Sequence, residues 1–375
     1  MRGMKGITAL LLALIWLLGC SAACAAEDMQ SGDFSYCFLD EENVSITGYS
    51  GNAQSLTIPG EIDGHPVKMI DWQAFKNCDT LTDVYICEGI EVIGEDAFCA
   101  CIRLQSIELP SSLRVIGNDA FAVCKNLEAI ELPNGLESIG NQAFQGCDEL
   151  KTLVIPEGVV SIGDEALKEC QTLRAVSIPD SAVSVGSDLL LKCPALTEIV
   201  LSDEQPALSL RDGVLFDKDG STLILYPPNQ PILSELTYAV PEGTERIAHY
   251  AFAYNDNLNS MTIPDSVTEI GDHAFFCTGL HEVTIPGSVK QIGEYLFLRS
   301  KTLQHVVFEE GAQSIGEWAF MDCYALETVT IPASVTEMAD RLFEKDVMDT
   351  MTMIVESGSV AEQYAQAHGI ATQAQ

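Results

Sequence analysis

The chain has 375 residues and a formal net charge of −36, with 55 acidic and 19 basic side chains. This length is more than one compact domain usually uses. The large negative charge repels nucleic-acid phosphates and anionic lipid headgroups, so we expect no nucleic-acid partner and no membrane docking through protein charge.

Residues 1–20 are predicted to be a secretory signal peptide. Two basic residues, Arg2 and Lys5, precede an apolar run from Ile7 to Leu18, and small residues follow it. The run is too short to span a bilayer, which needs roughly 20 apolar residues, and no later segment approaches that length. We therefore expect an exported chain that does not cross a membrane.

The end of this segment allows two interpretations. Leu17-Leu18-Gly19-Cys20 resembles a bacterial lipobox, in which the cysteine becomes the lipid-modified N-terminus. Ordinary cleavage near Ala23-Cys24-Ala25 would instead give a free secreted protein. Because Cys20 directly follows a small residue, we favour lipid attachment at Cys20, with residues 21–34 as a tether and the lipid as the only contact with the membrane.

An N-terminal cap is expected over residues 35–68. Two pairs of apolar residues flank residues 40–43 and predict a small β-hairpin: Tyr36 with Phe38, and Val44 with Ile46. A cap of this kind protects the first edge strand from pairing with another chain.

Residues 69–204 and 241–346 are predicted to be two repeat arrays. Within each array an Ala-Phe pair, or a Leu-substituted version of it, recurs at steps of 23 residues with one step of 22. An Ile-Gly pair lies four residues before most of these pairs, and a proline recurs in its own column, as at Pro110 and Pro133. The eleven pairs begin at Ala74, Ala97, Ala120, Ala143, Ala166, Leu189, Ala251, Ala274, Leu296, Ala319 and Leu342.

Each repeat is predicted to be one coil. The segment ahead of the proline, such as Leu104-Gln-Ser-Ile-Glu-Leu109, alternates enough for a strand with one buried face, which the proline ends. The glycine then permits a tight turn, and a short helical or 3₁₀ segment carries Ala-Phe inward. Because only stacked coils can bury these apolar faces, we predict a leucine-rich-repeat-like solenoid of about eleven coils with a parallel β-sheet face.

Residues 205–240 break the period and are predicted to be a β-hairpin insert. Gly213–Phe216 and Thr222–Tyr226 are strand-like segments that flank the polar turn Asp217–Ser221.

Residues 347–375 are predicted to be a C-terminal helical cap. Ser359 and Glu362 have capping-box spacing, and Gly369 is placed to end the helix. We expect this helix to cover the last coil.

The cysteines form a column of their own. Disulfides are common in exported proteins, but residues of one column point the same way from adjacent coils, whereas a disulfide needs facing Cβ vectors. We therefore predict buried free thiols that pack as small apolar groups. Asn255, Thr278 and Ser300 take the place of cysteine in the second array, and the column itself contains Cys78, Cys101, Cys124, Cys147, Cys170, Cys193 and Cys323.

The sequence predicts no metal site, no cofactor and no catalytic centre. The six histidines are scattered, and Cys99 with Cys101 makes only a C-x-C. Asp217-Lys-Asp-Gly resembles the start of a calcium loop but lacks the later ligands of an EF-hand. Nucleophile-elbow, zinc-protease and P-loop motifs are missing. Acidic residues mostly occupy variable repeat positions, where solvation explains them, so a hydrolase with a carboxylate pair is the least favoured alternative.

The outward face of the predicted strands supplies the candidate ligand-binding residues. Between the inward residues of each strand lies one outward residue, and stacking places these in a continuous row. A flat strand face suits contact with a protein or a glycan, although a merely soluble surface explains the same pattern equally well. The candidates are Tyr85, Glu108, Glu131, Val154 and Val200.

The repeat L-x-x-[IV]-x-[IL]-P-x-x-[LV]-x-x-I-G-x-x-A-F-x-x-C, most complete from Leu104 to Leu127, resembles that of the BspA-like leucine-rich-repeat family of bacterial surface proteins. Ile46–Gly51 and Ile58–Gly64 resemble the family's N-terminal cap, and Gly358–Ala365 resembles its C-terminal cap. The resemblance covers about residues 35–371. Departures from it occur at Cys87, Leu167, Leu190 and Glu309.

This resemblance implies a surface-displayed interaction module whose usual role is adhesion to host or bacterial partners. We expect a monomer without catalytic activity that binds a protein or a glycan. It does not identify one ligand, because repeat columns fix the fold and leave ligand choice to variable positions. A structural envelope protein without a specific ligand is the first alternative, and the hydrolase is the second.

Overall fold

A computed structural model describes residues 28–228 and 237–375. The predicted signal peptide, the lipid attachment at Cys20 and the first part of the predicted tether lie outside these residues. The chain divides into two compact units. The N-terminal unit contains the described residues up to Ala195 together with residues 199–207. The C-terminal unit contains residues 196–198 and 208–375.

From residue 28 to residue 200, short β-strands account for the regular structure. In chain order they are β1 (Met29–Ser31), β2 (Phe34–Phe38), β3 (Val44–Tyr49), β4 (Ser55–Ile58), β5 (Glu61–Ile62), β6 (His65–Ile70), β7 (Asp83–Ile86), β8 (Val92–Ile93), β9 (Ser106–Glu108), β10 (Val115–Ile116), β11 (Ala129–Ile130), β12 (Ser138–Ile139), β13 (Thr152–Val154), β14 (Ser161–Ile162), β15 (Ala175–Ser177), β16 (Ser184–Val185) and β17 (Glu198–Val200).

The described part of the N-terminal unit begins with three antiparallel strands. Strand β2 pairs with β3 in a register that puts Phe38 opposite Val44, which confirms the hairpin expected around residues 40–43. The Asp40 carboxylate accepts the backbone N–H of Asn43 at 2.8 Å and holds the turn. Strand β1, which the sequence prediction placed in the tether, instead pairs with β2, because Gly32 with φ +60° folds it back.

Two sets of parallel strands run through the repeats of the N-terminal unit. One contains the strands ahead of the proline column, in the sheets β4-β7-β9-β11 and β13-β15-β17, and confirms the expected sheet face. The other joins β3, β6, β8, β10, β12, β14 and β16 at the Ile-Gly column. The sequence analysis missed this second set, because a strand of two residues is too short to show an alternating pattern.

The prediction of a helical or 3₁₀ segment at the Ala-Phe pair is wrong, because the structure has turns there. In the third coil the backbone N–H groups of Asp119, Phe121 and Val123 donate to carbonyls of the next coil at 2.6–2.8 Å. Asp119 and Val123 have φ of +52° and +60°, and these left-handed residues interrupt the right-handed run that a helix needs. We call this inter-coil row of hydrogen bonds the corner ladder. All of its N–H groups point towards the following coil.

The phenylalanines of the Ala-Phe pairs do point inward and form the centre of the core. Phe75, Phe98, Phe121 and Phe144 are fully buried. Successive rings are within 7° of parallel, with centroids 5.0–5.5 Å apart, which is the range of offset stacking. One ring from each coil therefore joins neighbouring coils through the middle of the unit.

The glycine of the Ile-Gly pair lies where the backbones of adjacent coils come close together. A Cβ atom on Gly140 would lie 2.5 Å from the backbone nitrogen of Asn118 and 2.6 Å from the carbonyl carbon of Gly117 in the preceding coil. The sequence analysis assigned this glycine to a tight turn, but its φ lies outside the left-handed region. The residue is small because the backbones of adjacent coils nearly touch there.

The C-terminal unit continues with strands and two helices. They are β18 (Leu208–Arg211), β19 (Val214–Asp217), β20 (Thr222–Leu225), β21 (Thr237–Ala239), β22 (Arg246–Ile247), β23 (Ser260–Thr262), β24 (Glu269–Ile270), β25 (Glu282–Ile285), β26 (Gln291–Ile292), β27 (His305–Phe308), β28 (Ser314–Ile315), β29 (Thr328–Ile331), β30 (Glu337–Met338), α1 (Lys345–Met348), β31 (Thr352–Val355), α2 (Val360–His368) and β32 (Ala371–Ala374).

The first strands of this unit are antiparallel: β18 pairs with β19 and β19 pairs with β20. The hairpin expected between residues 213 and 226 is therefore present and carries one further strand. The Asp217 carboxylate holds its turn by accepting the hydroxyl of Ser221 at 2.8 Å and the N–H of Thr222 at 3.0 Å. Tyr226 then takes the phenylalanine position, since its ring stacks on Phe252 at 5.4 Å.

The remaining strands of the C-terminal unit form the same two sets of parallel strands as in the N-terminal unit. Strands β21-β23-β25-β27-β29-β31-β32 form one sheet, while β22-β24 and β26-β28-β30 follow the Ile-Gly column. The phenylalanine rings from Phe252 to Phe343 stack with centroids 4.9–5.5 Å apart. The described residues make about 14 turns, more than the eleven expected, because turns in the caps and insert lack the Ala-Phe pair.

Helix α2 confirms the predicted C-terminal cap. The Ser359 hydroxyl accepts the N–H of Glu362 at 3.1 Å, and the Glu362 carboxylate accepts the N–H of Gly358. The Tyr364 hydroxyl accepts the N–H of Leu342 and donates to the Asp340 carbonyl, so this helix is hydrogen-bonded to the backbone of the last coil. Within the described ranges, no helix has the length and apolarity needed to cross a bilayer.

Candidate binding surface

The five candidate ligand-binding residues all point outward and are exposed. The exposed fractions of the apolar members are 46% for Tyr85, 67% for Val154 and 45% for Val200, and both glutamates are exposed as well. Each side chain is outward because its strand neighbours, such as Val84 and Ile86 beside Tyr85, are buried in the core.

The structure brings some of these residues together directly. Tyr85 on β7 pairs with Glu108 on β9, and with Thr57 on β4 on its other side. Val154 on β13 belongs to a separate three-stranded sheet, where its partner is Ser177. Glu131 lies just after β11. The candidate residues therefore form two groups on the strands ahead of the proline column, rather than one unbroken sheet row.

A second outward column runs beside the first. Its Asp83 carboxylate accepts the hydroxyl of Ser106 in the next coil at 2.7 Å and that of Thr82 at 2.8 Å. These hydrogen bonds lower the pKa of Asp83, because they stabilise the charged carboxylate. This part of the face therefore keeps a fixed negative charge next to the Tyr85 ring.

Six of the seven column cysteines are buried and Cys78 is partly buried, and all seven thiols are free. Each buried thiol also donates to a carbonyl of the preceding coil, as Cys124 does to Phe98 at 3.2 Å. The acceptor is the phenylalanine of the Ala-Phe pair except for Cys193, which donates to Leu167. In the C-terminal unit, Ser300 makes the equivalent bond to Phe275 at 2.7 Å. The sequence analysis treated this column as apolar packing. The signal for hydrogen bonding was that Asn, Thr and Ser, all donors, replace the cysteine.

Burial raises the pKa of the Cys124 thiol to about 12 and holds that of Cys147 well above its ordinary value. Since the thiolate is the nucleophile, we expect native Cys124 and Cys147 to react with iodoacetamide at pH 8 at least ~10-fold more slowly than the partly buried Cys87. Mass spectrometry of timed alkylation checks this. Disulfides between successive members of the column would overturn the packing described above.

Among the described residues there is no group of three or more His, Cys, Asp or Glu side chains placed to hold a metal ion. In the segment that resembles a calcium loop, the Asp217 carboxylate accepts the Ser221 hydroxyl and the Thr222 N–H and so stabilises the hairpin turn.

A set of aromatic residues at the corner ladder was not predicted from the sequence. The residue just before each Ala-Phe pair is acidic or an amide in the N-terminal unit, as at Asp96 and Gln142. In the C-terminal unit this position is aromatic at four successive coils, and the 23-residue spacing could have shown it. We call these four residues the aromatic column: Tyr250, His273, Tyr295 and Trp318. Their first three rings stack, with centroids 4.5 and 4.9 Å apart.

Parallel strands at a 23-residue period, a buried Ala-Phe corner and short connecting turns define a leucine-rich-repeat β-solenoid protein. Residues 68–197 and 233–348 match the BspA type leucine rich repeat region, in six copies. The chain belongs to this family, and the resemblance seen in the sequence is confirmed.

Several solved bacterial structures are similar. A leucine rich cell surface protein from Faecalibacterium prausnitzii A2-165 is 27% identical with a TM-score of 0.78, covering 92% of this chain and 98% of that protein. A leucine-rich repeat protein from Bacteroides ovatus is 28% identical with a TM-score of 0.55, covering 88% and 79%. One from Eubacterium ventriosum, 22% identical with a TM-score of 0.68 and coverage of 88% and 85%, shows the same fold. A search of curated proteins found no match.

Proposed function

We propose that this protein is a non-enzymatic module displayed on the bacterial cell surface, where it binds a host or bacterial macromolecule through the outward strand face of its N-terminal unit. The observation that carries the proposal is the exposure of Tyr85, Val154 and Val200 on that face. Aromatic and apolar side chains surrounded by polar ones are typical anchors of protein interfaces.

Surface display is supported by the relative from Faecalibacterium prausnitzii, which is described as a cell surface protein. The lipid attachment at Cys20 is the proposed mode of anchoring, and metabolic lipid labelling of the exported chain would detect it. A non-enzymatic role is supported by the absence of catalytic motifs from the sequence and by the regular repetition of structural columns, which leaves the acidic side chains mainly on solvated positions.

The first experiment identifies a partner and measures its affinity. The full chain is immobilised and exposed to purified host matrix proteins and to bacterial surface extracts, and each captured protein or glycan is then purified and titrated. Saturable binding is expected. If no preparation contains a saturable partner, the alternative of a structural envelope protein takes precedence.

Replacement of Tyr85 and Val154 by lysine should weaken binding of that partner at least ~10-fold, because the change removes the two largest apolar contacts and adds two charges. The control is Val183→Lys, since Val183 has the same 67% exposure as Val154 but lies beside β16 on the other set of strands. If the double variant binds as tightly as wild type, this face is not the site, and the hairpin at residues 213–226 is the next candidate.

A further inference from the structure

A cleft of about 590 Å³ opens beside the C-terminal cap, entirely within the C-terminal unit. We infer that this cleft binds a neutral oligosaccharide, at a site separate from the strand face proposed above and independent of it. Six of its lining residues carry the inference: Trp318, Tyr324, Asp340, Arg341, Glu344 and His368.

Two aromatic side chains give the cleft its apolar surface. Tyr324 is 57% exposed, and its hydroxyl donates to the Asp322 carboxylate at 2.6 Å, which fixes the position of the ring. Trp318, the last member of the aromatic column, is half-buried. The C–H faces of sugar rings are apolar and pack on aromatic rings, and such rings with a few polar groups are typical of small-ligand sites.

Planar polar groups lie around these rings. The Arg341 guanidinium carbon is 5.5 Å from the Trp318 ring centroid. His368 stacks on Tyr364 at 4.1 Å, and its Nε2 lies 3.6 Å from the Asp340 carboxylate. Guanidinium and carboxylate groups each offer two hydrogen-bonding atoms in one plane, which matches the adjacent hydroxyls of a sugar.

The charge of the cleft favours a neutral ligand. Its lining contains three carboxylates, Asp340, Glu344 and Asp346, against the two cations Arg341 and Lys345. An anionic ligand would meet no excess of positive charge, and a cationic ligand would find stronger attraction at most other surfaces of a chain with a net charge of −36. A polyhydroxyl ligand without charge fits this near balance.

The residue type at position 318 gives separate support. The φ of Trp318 is +57°, a left-handed conformation that is unfavourable for a bulky side chain. The N-terminal unit has Asp96 and Asp119 at equivalent positions, with φ of +59° and +52°, and aspartate tolerates this region better. Core packing does not require the tryptophan, since it lines the cleft. The same left-handed φ recurs at this position in other coils, as at Tyr250 and His273, so the conformation belongs to the repeat, and the tryptophan side chain that lines the cleft is what points to a role there.

The test uses Trp318 as its own reporter. The full chain has three tryptophans, Trp16, Trp72 and Trp318, so a Trp16→Phe/Trp72→Phe variant keeps only the one in the cleft. Cellotetraose, maltotetraose, N-acetylchitotetraose and mannotetraose are titrated separately against this variant. At least one should change the tryptophan emission in a saturable manner, because ring packing replaces water at the indole.

Calorimetry with the tetrasaccharide that binds then tests the residues in the otherwise wild-type chain. Trp318→Ala and Tyr324→Ala should each weaken binding at least ~10-fold, which corresponds to about 1.4 kcal/mol. Thermal melts confirm that each variant folds. If Trp318→Ala does not fold, Tyr324→Ala alone decides the test. Trp72→Ala is the matched control, since it removes a 54% exposed tryptophan in the N-terminal unit, and its affinity should equal that of wild type.

Three results would overturn the inference: no emission change with any of the four sugars, unchanged affinity in the folded Trp318→Ala or Tyr324→Ala variants, or equally tight binding of the anionic tetragalacturonate. The variant with Tyr85→Lys and Val154→Lys should keep its affinity for the sugar. Failure of the strand-face proposal and failure of this one are therefore distinguishable.

Discussion

Phe121→Ala is expected to lower the free energy of unfolding by about 3–5 kcal/mol. Phe121 is fully buried, and its ring lies between Phe98 and Phe144, with centroids 5.5 Å away on both sides. The substitution removes both ring contacts and leaves a cavity in the core that the adjacent coils cannot close, because their spacing is set by backbone hydrogen bonds. Chemical denaturation measured by circular dichroism checks the value.

The control for this substitution is Tyr85→Ala, which removes an aromatic ring from the outward face of β7 and should change stability by roughly 0.5 kcal/mol or less. Equal losses from the two substitutions would show that the inward stack does not hold the coils together.

Gly140→Ala is expected to destabilise the protein by about 1–3 kcal/mol, and by more if the coils cannot separate. The added methyl group would lie 2.5 Å from the Asn118 backbone nitrogen, and backbone cannot rotate away as a side chain can. The measurement is the unfolding midpoint in urea.

Gly48→Ala is the matched control. It lies in β3, and its new Cβ would be 3.5 Å from the Ser35 hydroxyl, an ordinary contact. A change below about 1 kcal/mol is expected there. If Gly140→Ala were as mild as Gly48→Ala, the close approach of adjacent coils would not be what requires glycine.

Much of the fold follows from the sequence because every coil must bury the same apolar side chains, which therefore recur at one period. The period of the Ala-Phe pairs fixed which phenylalanines are buried, and the segment ahead of Pro110 has the alternation that a strand with one buried face requires. The cap hairpin around residues 40–43 and the helix that begins after Ser359 have local signals, a turn and a capping box, that do not depend on long-range contacts.

The corner and the second set of strands could not be predicted in the same way. A two-residue strand such as β10 forms only because the neighbouring coil supplies its hydrogen-bonding partners. The left-handed conformations of Asp119 and Val123 are likewise held by hydrogen bonds to the neighbouring coil, and the residue type alone does not predict a positive φ at these positions. These features depend on stacking, which a single repeat does not contain.

The candidate site shows a similar division. The outward direction of Tyr85 and Val154 follows from strand alternation, and the structure shows both exposed. The cleft beside the C-terminal cap involves Trp318, Tyr324 and His368, which lie up to 50 residues apart and in different columns. No pattern in the sequence joins them, because the last coil and helix α2 meet only in the folded chain.

The corner ladder gives a stack of coils two chemically different ends. Because every N–H group in it points towards the next coil, the ladder at one bare end would present only carbonyl acceptors and at the other only amide donors. Two such ends are complementary, so uncapped copies would join head to tail into an open filament. Helix α2 covers the last coil, since the Tyr364 ring lies 6.4 Å from the Phe343 ring and the Tyr364 hydroxyl bonds the backbone of Leu342 and Asp340. The C-terminal helix thus stands where a coil of a second copy would have to stack.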